Sequence, residues 1–535
     1  MKQRNVRLLA LVMLVVIALS PSFAVAQESE KYDPPITMSF GTPIDVNDAN
    51  IINLEKQTGE TIYDNRWTRL MKDELGIVID YAWLAPGEQY AQKLRLGMAS
   101  NSLPDYFRLS DYSDLKNMIE AGIVTDMTDI YEEYASPLLK QITEAETDHV
   151  FDSMTYEGRL YGIPAKMPST NAYNHLWIRR DWLNKLGLEE PRTMEDVRKV
   201  AEAFATQDPD GNGVADTRGI LLDKNFLTQA KGLFWGFGAL VQSPAQWVKA
   251  QDGTLVYSKV QPEVKKALAF LNEMYNEGLI DMEFAVKDFN KAVEDVVNGK
   301  CGMFYGQHWD AFQLENSIKN DPSADWISLP LPTEDGSLAR IPATVTVEYA
   351  IVTRAGAEHP EGIIKILNKY VETLFGEDNQ FDRYYAEEGL SNIWNQFPIY
   401  ALDSRLDLQA HLDIKQALAD GTTDQLTGVG KSFYDLMNQE DTHAYALMFG
   451  PEKTPFDFVA QTYPDNIVWN EYAGAPTATM ATRWTTLEEH LLVNYTKMIT
   501  GQVPLDSFDS VIEQWNSMGG ADVTREINEA AAAAK

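Results

Sequence analysis

Asn65-Arg66-Trp67-Thr68-Arg69-Leu70-Met71-Lys72-Asp73-Glu74-Leu75-Gly76-Ile77-Val78-Ile79-Asp80-Tyr81 sets two periodicities side by side. Asn65–Leu75 repeats its apolar residues every three to four positions, as an amphipathic helix does. Gly76 interrupts it, and Ile77-Val78-Ile79-Asp80-Tyr81 reads as a short apolar strand. Working outward, Pro35-Ile36-Thr37-Met38-Ser39-Phe40-Gly41 alternates like a first strand. Gln89–Ala99 is helical again, and Leu103-Pro104-Asp105-Tyr106-Phe107 restarts a strand. Strands separated by crossover helices predict an α/β domain with a mostly parallel sheet.

Beyond Tyr161-Gly162-Ile163-Pro164 the helical patterns lengthen and tryptophan becomes more frequent. Helices are predicted over Ile178–Leu186, Thr193–Phe204, Val264–Glu277, Phe289–Asn298, Pro360–Leu374 and Thr486–Ile499. Thr193 is placed to cap its helix, with Glu195 and Asp196 in the first turn. Gly302–Tyr305 and Val345–Thr353 read as strands. The sequence has no internal repeat and no long Pro/Gly/Ser linker, and Glu529–Lys535 is an alanine-rich helix end. Two α/β lobes joined by several crossovers fit this layout better than modules on a string.

The chain has 535 residues and 79 Asp+Glu against 45 Lys+Arg, a net charge of −34. That balance argues against a nucleic-acid binder, whose affinity rests on Lys and Arg, and against docking to an anionic membrane surface. Cys301 is the single cysteine, so intramolecular disulfides and CxxC chemistry are excluded. Residues 1–26 read as a secretory signal: Lys2, Arg4 and Arg7, then the apolar run Leu8–Leu19, then Ala24-Val25-Ala26 at the cleavage positions. With no cysteine near that cut, the expectation is an exported protein, periplasmic or extracellular, without a lipid anchor.

The most specific stretch is Asp208-Pro209-Asp210-Gly211-Asn212-Gly213-Val214-Ala215-Asp216-Thr217. Oxygen-bearing side chains recur at relative positions 1, 3, 5 and 9, glycine stands at 6, and Val214 at 7 offers a carbonyl. This spacing wraps a short loop around a hard cation that takes six to eight oxygens, such as Ca²⁺. Position 12 is Gly219, so the bidentate glutamate of an EF-hand is absent. The predicted ligands are Asp208, Asp210, Asn212, Val214, Asp216 and Thr217, with a structural Ca²⁺.

Taken in order, Tyr161-Gly162-Ile163-Pro164, Leu176-Trp177-Ile178-Arg179-Arg180-Asp181-Trp182-Leu183-Asn184-Lys185-Leu186-Gly187-Leu188, Pro191-Arg192-Thr193 and the oxygen-rich loop resemble family 1 extracellular solute-binding proteins of bacterial ABC sugar importers. The resemblance is to the long branch with alginate-oligosaccharide binders and Gram-positive lipoproteins. Leu103-Pro104-Asp105, Gly302-Met303-Phe304-Tyr305-Gly306 and Gly519-Gly520-Ala521-Asp522 support it, and it spans nearly the whole chain after residue 26. It implies a two-lobed periplasmic-binding-protein fold, each lobe a mostly parallel sheet flanked by helices, with a hinge between them. The expected division is 27–165 for the N-terminal lobe, with part of 340–400 returning to it, and 166–535 for a mainly C-terminal, more helical lobe. The resemblance further implies a monomer that captures an oligosaccharide in the interlobe cleft and delivers it to a membrane permease.

Sugars are held by aromatic faces against their C–H surfaces, with carboxylates and amides taking the hydroxyls. Trp309 is the leading candidate because it follows a strand through the turn Gly306–His308, with Asp310 beside it. Trp67, Trp83, Trp235, Glu348, Tyr349, Trp394 and Trp469 complete the predicted ligand set, whereas Trp177, Trp182 and Trp515 are expected in cores. The competing reading is a secreted, calcium-stabilised glycoside hydrolase or lyase working through paired carboxylates. The seven histidines never fall in HExxH spacing, no GxSxG occurs, and Gly428-Val429-Gly430-Lys431-Ser432 lacks the first glycine of a phosphate loop. No catalytic residue is assigned. Arg179 and Arg180 diverge by about 100° on a helix, so a shared clamp for a sugar carboxylate is not expected.

Overall fold

The computed structural model describes residues 31–533 except 48, 111–112, 146–147, 168–169, 171–172, 243–244, 345–346, 386–392, 440–441, 463–464 and 475. The predicted signal at 1–26 lies outside the described residues. Among the strands of the described residues, ten frame the interior: β1 (Ile36–Thr42), β2 (Ile77–Leu84), β3 (Tyr106–Leu109), β4 (Ile163–Lys166), β5 (His175–Arg179), β6 (Met303–Gly306), β7 (Trp326–Leu329), β8 (Ile341–Ala343), β9 (Val347–Thr353) and β10 (Ile467–Trp469).

The helix read from the opening stretch begins where its cap demands. Asn65 accepts hydrogen bonds from the Trp67 and Thr68 amides at 3.0 and 3.1 Å, and the Thr68 hydroxyl takes the Asn65 amide in return. Arg66–Leu70 is α-helical, and Met71–Leu75 continues as a π turn. Gly76 ends it at φ 68°, where a side chain would strike the Tyr32 carbonyl, so only glycine fits the passage into β2. In the second half Thr193 and Asp196 form a reciprocal capping box that opens the helix Met194–Thr206.

The first sheet runs β2-β1-β3-β9-β4. β1 is parallel to β2 and β3, whereas β9 is antiparallel to both β3 and β4. The second sheet, β6-β5-β7, is antiparallel throughout. The α/β class therefore stands: the second sheet corrects the expectation of a mostly parallel one, whereas in the first sheet β9 alone runs against the other four strands. The reason is topological. β4 ends at Lys166 as the chain leaves the first sheet, and β9 brings it back opposite the same residue, with Val347 paired to Lys166. A strand that leaves and a strand that returns at one edge run in opposite directions and pair antiparallel.

Two hydrophobic cores form. One gathers residues between Met38 and Ala165 and then between Tyr349 and Leu406. The other gathers residues between Tyr173 and Ile341 and then between Leu408 and Ile527. The chain therefore passes from one core to the other three times, after Ala165, after Ile341 and after Leu406. The two lobes also touch through the short helix Phe381–Tyr384 against Gly428–Met437, where the Ser432 hydroxyl donates to Asp382.

Two local expectations differ. Ile178 and Arg179 belong to β5, and the helix begins only at Arg180. All five residues of β5 are buried, so the strand lacks the two-residue alternation that would distinguish it from a helix start. Phe289–Asn298 is broken into Phe289–Ala292 and Glu294–Val297.

Candidate functional site

The register of the second sheet puts three chain ends together. Gly306, the last residue of β6, pairs with His175, the first of β5, and Leu329 at the end of β7 pairs with Leu176. β5 starts just after the first passage between cores, so the turn that follows β6 lies on the side of the sheet that faces the other lobe. Open α/β sheets bind ligands at such strand ends.

That turn is tied down on both sides. The Trp177 indole donates to the Gln307 carbonyl at 3.1 Å. The Gln307 amide donates to Asp310 Oδ2 at 2.7 Å. Gln229 Nε2 reaches the same carboxylate oxygen at 3.3 Å and Gln307 Oε1 at 3.4 Å. A side chain at 306 would run into Asp310 Oδ2, which is why glycine precedes the turn. Asp310 is 4% exposed, and its loss of solvation pushes its pKa up to about 7. It is therefore turned into the protein and holds the turn.

Trp309 points the other way and is 43% exposed, as is Phe312 one helical turn later. Both are backed by rings. His308 meets Trp309 edge-on at 4.9 Å and Phe456 at 5.1 Å, and Phe456 stacks on Phe449 at 5.0 Å. Phe312 packs edge-on against Tyr445 at 6.0 Å, and Tyr445 against Phe433 at 5.5 Å. Phe433 touches Tyr385, which stacks on Trp394 at 6.1 Å. The series runs from the exposed turn of one lobe to Trp394 on the other. Each such contact contributes about 0.5–1.5 kcal/mol beyond its buried area, so the exposed rings rest on a rigid bed. Sequence reasoning missed Phe312, Tyr445 and Tyr385. The three-residue spacing of Trp309 and Phe312 was the signal for the first of these.

The other predicted ligand residues separate by burial. Trp67 has no exposed surface; it stacks against both Tyr370 and Phe397 and donates to the Tyr384 carbonyl at 3.1 Å. Trp235 donates to the Val241 carbonyl inside the second core. Tyr349 is buried, its hydroxyl bonded to the Pro398 carbonyl and its ring under the Arg108 guanidinium. These three, like Asp310, offer no surface to a ligand, because neighbouring elements cover them on every side. Trp83 is half-buried over Gly41 and Gly97, and Trp469 is half-buried on β10 beside Ala343. The side chain of Glu348 lies outside the described residues.

Arg179 and Arg180 diverge and are both occupied. Arg179, 2% exposed, binds Asp181 and Asp321 at 2.6 and 2.8 Å. Arg180 pairs with Asp325 through two nitrogens. A pocket of about 170 Å³ beside that pair is lined by Trp326, Lys453 and Glu452 as well, and Lys453 is itself bound to Glu190.

The loop after helix Met194–Thr206 folds its oxygens inward. Gly211 and Gly213 take φ 74° and 76°, and Asp208 takes φ 47°. Asp208 Oδ2 accepts the Gly213 amide at 3.1 Å, while Asp208 Oδ1 is buried without a hydrogen-bond partner. The Asn212 amide group joins Asp210 and Asp216 at 2.6 and 3.2 Å. Asp210 is held above the usual carboxylate range by lost solvation and by Asp208 and Asp216 beside it. Asp216 is held below it by Asn212 and by Lys300 at 3.4 Å. Among the described residues no group of three or more His, Cys, Asp or Glu converges as metal ligands. The hard-oxygen set needs the Asn212 oxygen and the Val214 carbonyl as well, and the orphaned Asp208 oxygen is consistent with a cation there. Thr217 does not belong to the set: it is buried and donates its hydroxyl to the Phe204 carbonyl at 2.7 Å.

Comparison with known proteins gives this arrangement a context. The profile of the bacterial extracellular solute-binding proteins matches residues 56–381, more than half of the chain. Lipoprotein LipO of Bacillus subtilis is 24% identical over 85% of this chain and 86% of its own length. The fructooligosaccharide ABC transporter substrate-binding protein FusA of Streptococcus pneumoniae is 29% identical over 52% of this chain and 50% of its own. Among solved structures, FusA in complex with kestose superposes with TM-score 0.61 at 20% identity, covering 93% of this chain and 99% of that one. The alginate-binding protein AlgQ2 without calcium ion superposes with TM-score 0.58 at 15% identity, over 94% and 98%. These likenesses establish the two-lobed fold. The similarity to a lipoprotein over most of the chain overturns the expectation of an exported protein without a lipid anchor. Cys301, the single thiol, is buried in the second core, so its position says nothing about attachment.

Proposed function

The chain belongs to the bacterial extracellular solute-binding proteins, and from that premise we propose that it captures an oligosaccharide between its two lobes and passes it to the permease of an ABC importer. Proteins of this family bind solutes and are not enzymes. The observation that carries the oligosaccharide reading is the Trp309–Phe312 face: two large exposed rings, one helical turn apart, on the lobe-facing side of the second sheet. Successive sugar rings offer C–H faces to such a surface, and a ligand held by both lobes favours the closed state by its extra contacts there. FusA, a relative over half of the chain, is by name a fructooligosaccharide binder.

We read 27–165, with the return near 340–400, as one lobe and 166–535 as mainly the other; the two separate cores support that division. The net charge of −34 supports a protein that takes no nucleic acid, and we read it as a monomer. Asp208, Asp210, Asn212, Asp216 and the Val214 carbonyl would hold a structural Ca²⁺. The ion would neutralise the clustered carboxylates and pin the loop, with no part in any chemical step. A titration calorimetry panel of neutral and uronic oligosaccharides, kestose and oligogalacturonides included, tests the main reading when the mixtures are also analysed for products. Binding without turnover is expected; product formation would overturn it.

A further inference from the structure

We propose that Asp310 is a positioning residue: by holding the Gln307 amide it fixes the turn that presents Trp309, so sugar affinity depends on a side chain the sugar does not touch. This rests on the reading that Trp309 faces the ligand. The geometry is specific. One carboxylate oxygen, Oδ2, receives both the Gln307 amide at 2.7 Å and Gln229 Nε2 at 3.3 Å, and the same oxygen closes the space above Gly306. The Trp177 indole holds the Gln307 carbonyl from the opposite side. Gln307 is thus gripped by its amide and its carbonyl, and Trp309, two residues on, has little freedom except at its own side chain. The grip on the amide is a charge-assisted hydrogen bond, strong while the carboxylate is ionised and weaker once it is protonated.

Asp310 is buried and its pKa is pushed up to about 7 by lost solvation, so that change falls in the neutral range. Other titratable groups lie on the turn and on neighbouring elements, and none of them is a cause of the shift at Asp310. His308 is on the same turn, Tyr305 on β6, His175 at the start of β5 and Lys231 just after Gln229. Glu315, on the helix that follows, accepts the His443 and Ala444 amides. Asp457, on the helix Pro455–Thr462, is bound to Lys415. Burial drives His308 down to about 3 and His175 well below its ordinary value, so both stay neutral at pH 6–8. Lys231, which donates to Gln242 Oε1 at 2.8 Å, is lowered by burial to about 7 and titrates in the same window.

The test uses the full chain labelled with 5-fluorotryptophan, the Trp309 resonance being identified by its loss in Trp309→Phe. In the wild type that resonance is expected to shift with a midpoint near pH 7 without any sugar present, and affinity for kestose, or for whichever sugar of the panel binds, to fall several-fold from pH 8 to pH 5.5. Asp310→Asn keeps an acceptor for the Gln307 amide and should remove both pH dependences. Asp310→Ala should broaden or move the resonance and weaken binding at least tenfold, and Gln229→Ala, further from the turn, should give a smaller effect in the same direction. Lys231→Met must leave the titration in place. A titration that survives Asp310→Asn, or disappears in Lys231→Met, overturns the proposal, as does an Asp310→Ala protein with wild-type resonance and affinity. If the resonance behaves as expected but Trp309→Ala binds every sugar like the wild type, the assignment of the sugar site fails while the role of Asp310 in the turn stands.

Discussion

The Thr217 hydroxyl donates to the Phe204 carbonyl, 2.7 Å away, at the end of the helix that leads into the oxygen-rich loop. Thr217 therefore joins the loop to the lobe interior, and the oxygens proposed to hold an ion are those of residues 208–216. Thr217→Val should lower the melting temperature by an amount equivalent to about 1 kcal/mol, a typical net value for one hydrogen bond, equally with calcium and with chelator. Asp208→Ala and Asp216→Ala should instead abolish the calcium-dependent rise in melting temperature that mass action requires of a bound ion. A wild-type melting curve that ignores chelator would remove the ion from the loop.

Trp309→Ala should reduce oligosaccharide affinity at least tenfold, about 1.4 kcal/mol, with little change in the melting curve. Phe312→Ala should have a smaller effect in the same direction. Trp67→Ala is the contrasting case. It empties a position enclosed by Tyr370, Tyr384 and Phe397, and large aromatic deletions in cores cost about 3–5 kcal/mol. Calorimetry and thermal melts on the three variants separate sugar contact from core packing; equal loss of affinity at unchanged stability in all three would contradict this assignment.

Asp407 supplies a pH prediction. It lies in the first turn of the helix Leu406–Asp420, beside the third passage between the cores, and burial raises its pKa to about 7. The folded state then binds its proton more tightly than the unfolded chain. Its contribution is complete below the ordinary carboxylate pKa and is lost as pH rises through 7. Asp407→Asn should therefore raise the melting temperature more at pH 8 than at pH 5. Urea unfolding at the two pH values measures the difference, and equal gains at both would show that the carboxyl ionises normally.

Arg179 and Arg180 should behave differently from each other, and neither should affect sugar binding. Arg179→Ala leaves Asp181 and Asp321 without their buried partner, but both carboxylates keep access to water, so the cost should be about 1.5–3 kcal/mol, that of hydrogen bonds to charged groups. Arg180 and Asp325 are both well exposed, so Arg180→Ala should cost less than about 1 kcal/mol. A large affinity loss for uronic sugars in either variant would place these guanidinium groups in the ligand site.

Much of this protein is written locally. The helix that starts at Asn65, its stop at Gly76, and the capping box of Thr193 and Asp196 each depend on residues within a few positions of one another. The oxygen-rich loop has the same local character, its hydrogen bonds joining Asp208 to Gly213 and Asn212 to Asp210 and Asp216. β5 escaped because a strand buried on both faces carries no alternation, and the antiparallel return of β9 escaped because its partner β4 lies far upstream in the chain.

The sequence by itself determined the α/β character, the order of motifs that marks the family, and the place of Trp309 just after a strand. Tertiary structure alone decided which aromatic and acidic side chains have a surface to offer. Trp67, Trp235 and Tyr349 are as suitable for sugar stacking as Trp309 by residue type, yet each is enclosed by elements distant in sequence. Asp310, adjacent to Trp309, faces inward because Gln229 and the Gln307 amide meet it there. Local propensities act along the chain, whereas burial depends on what the rest of the chain packs against a residue; the signal for exposure therefore appears only once both cores have formed.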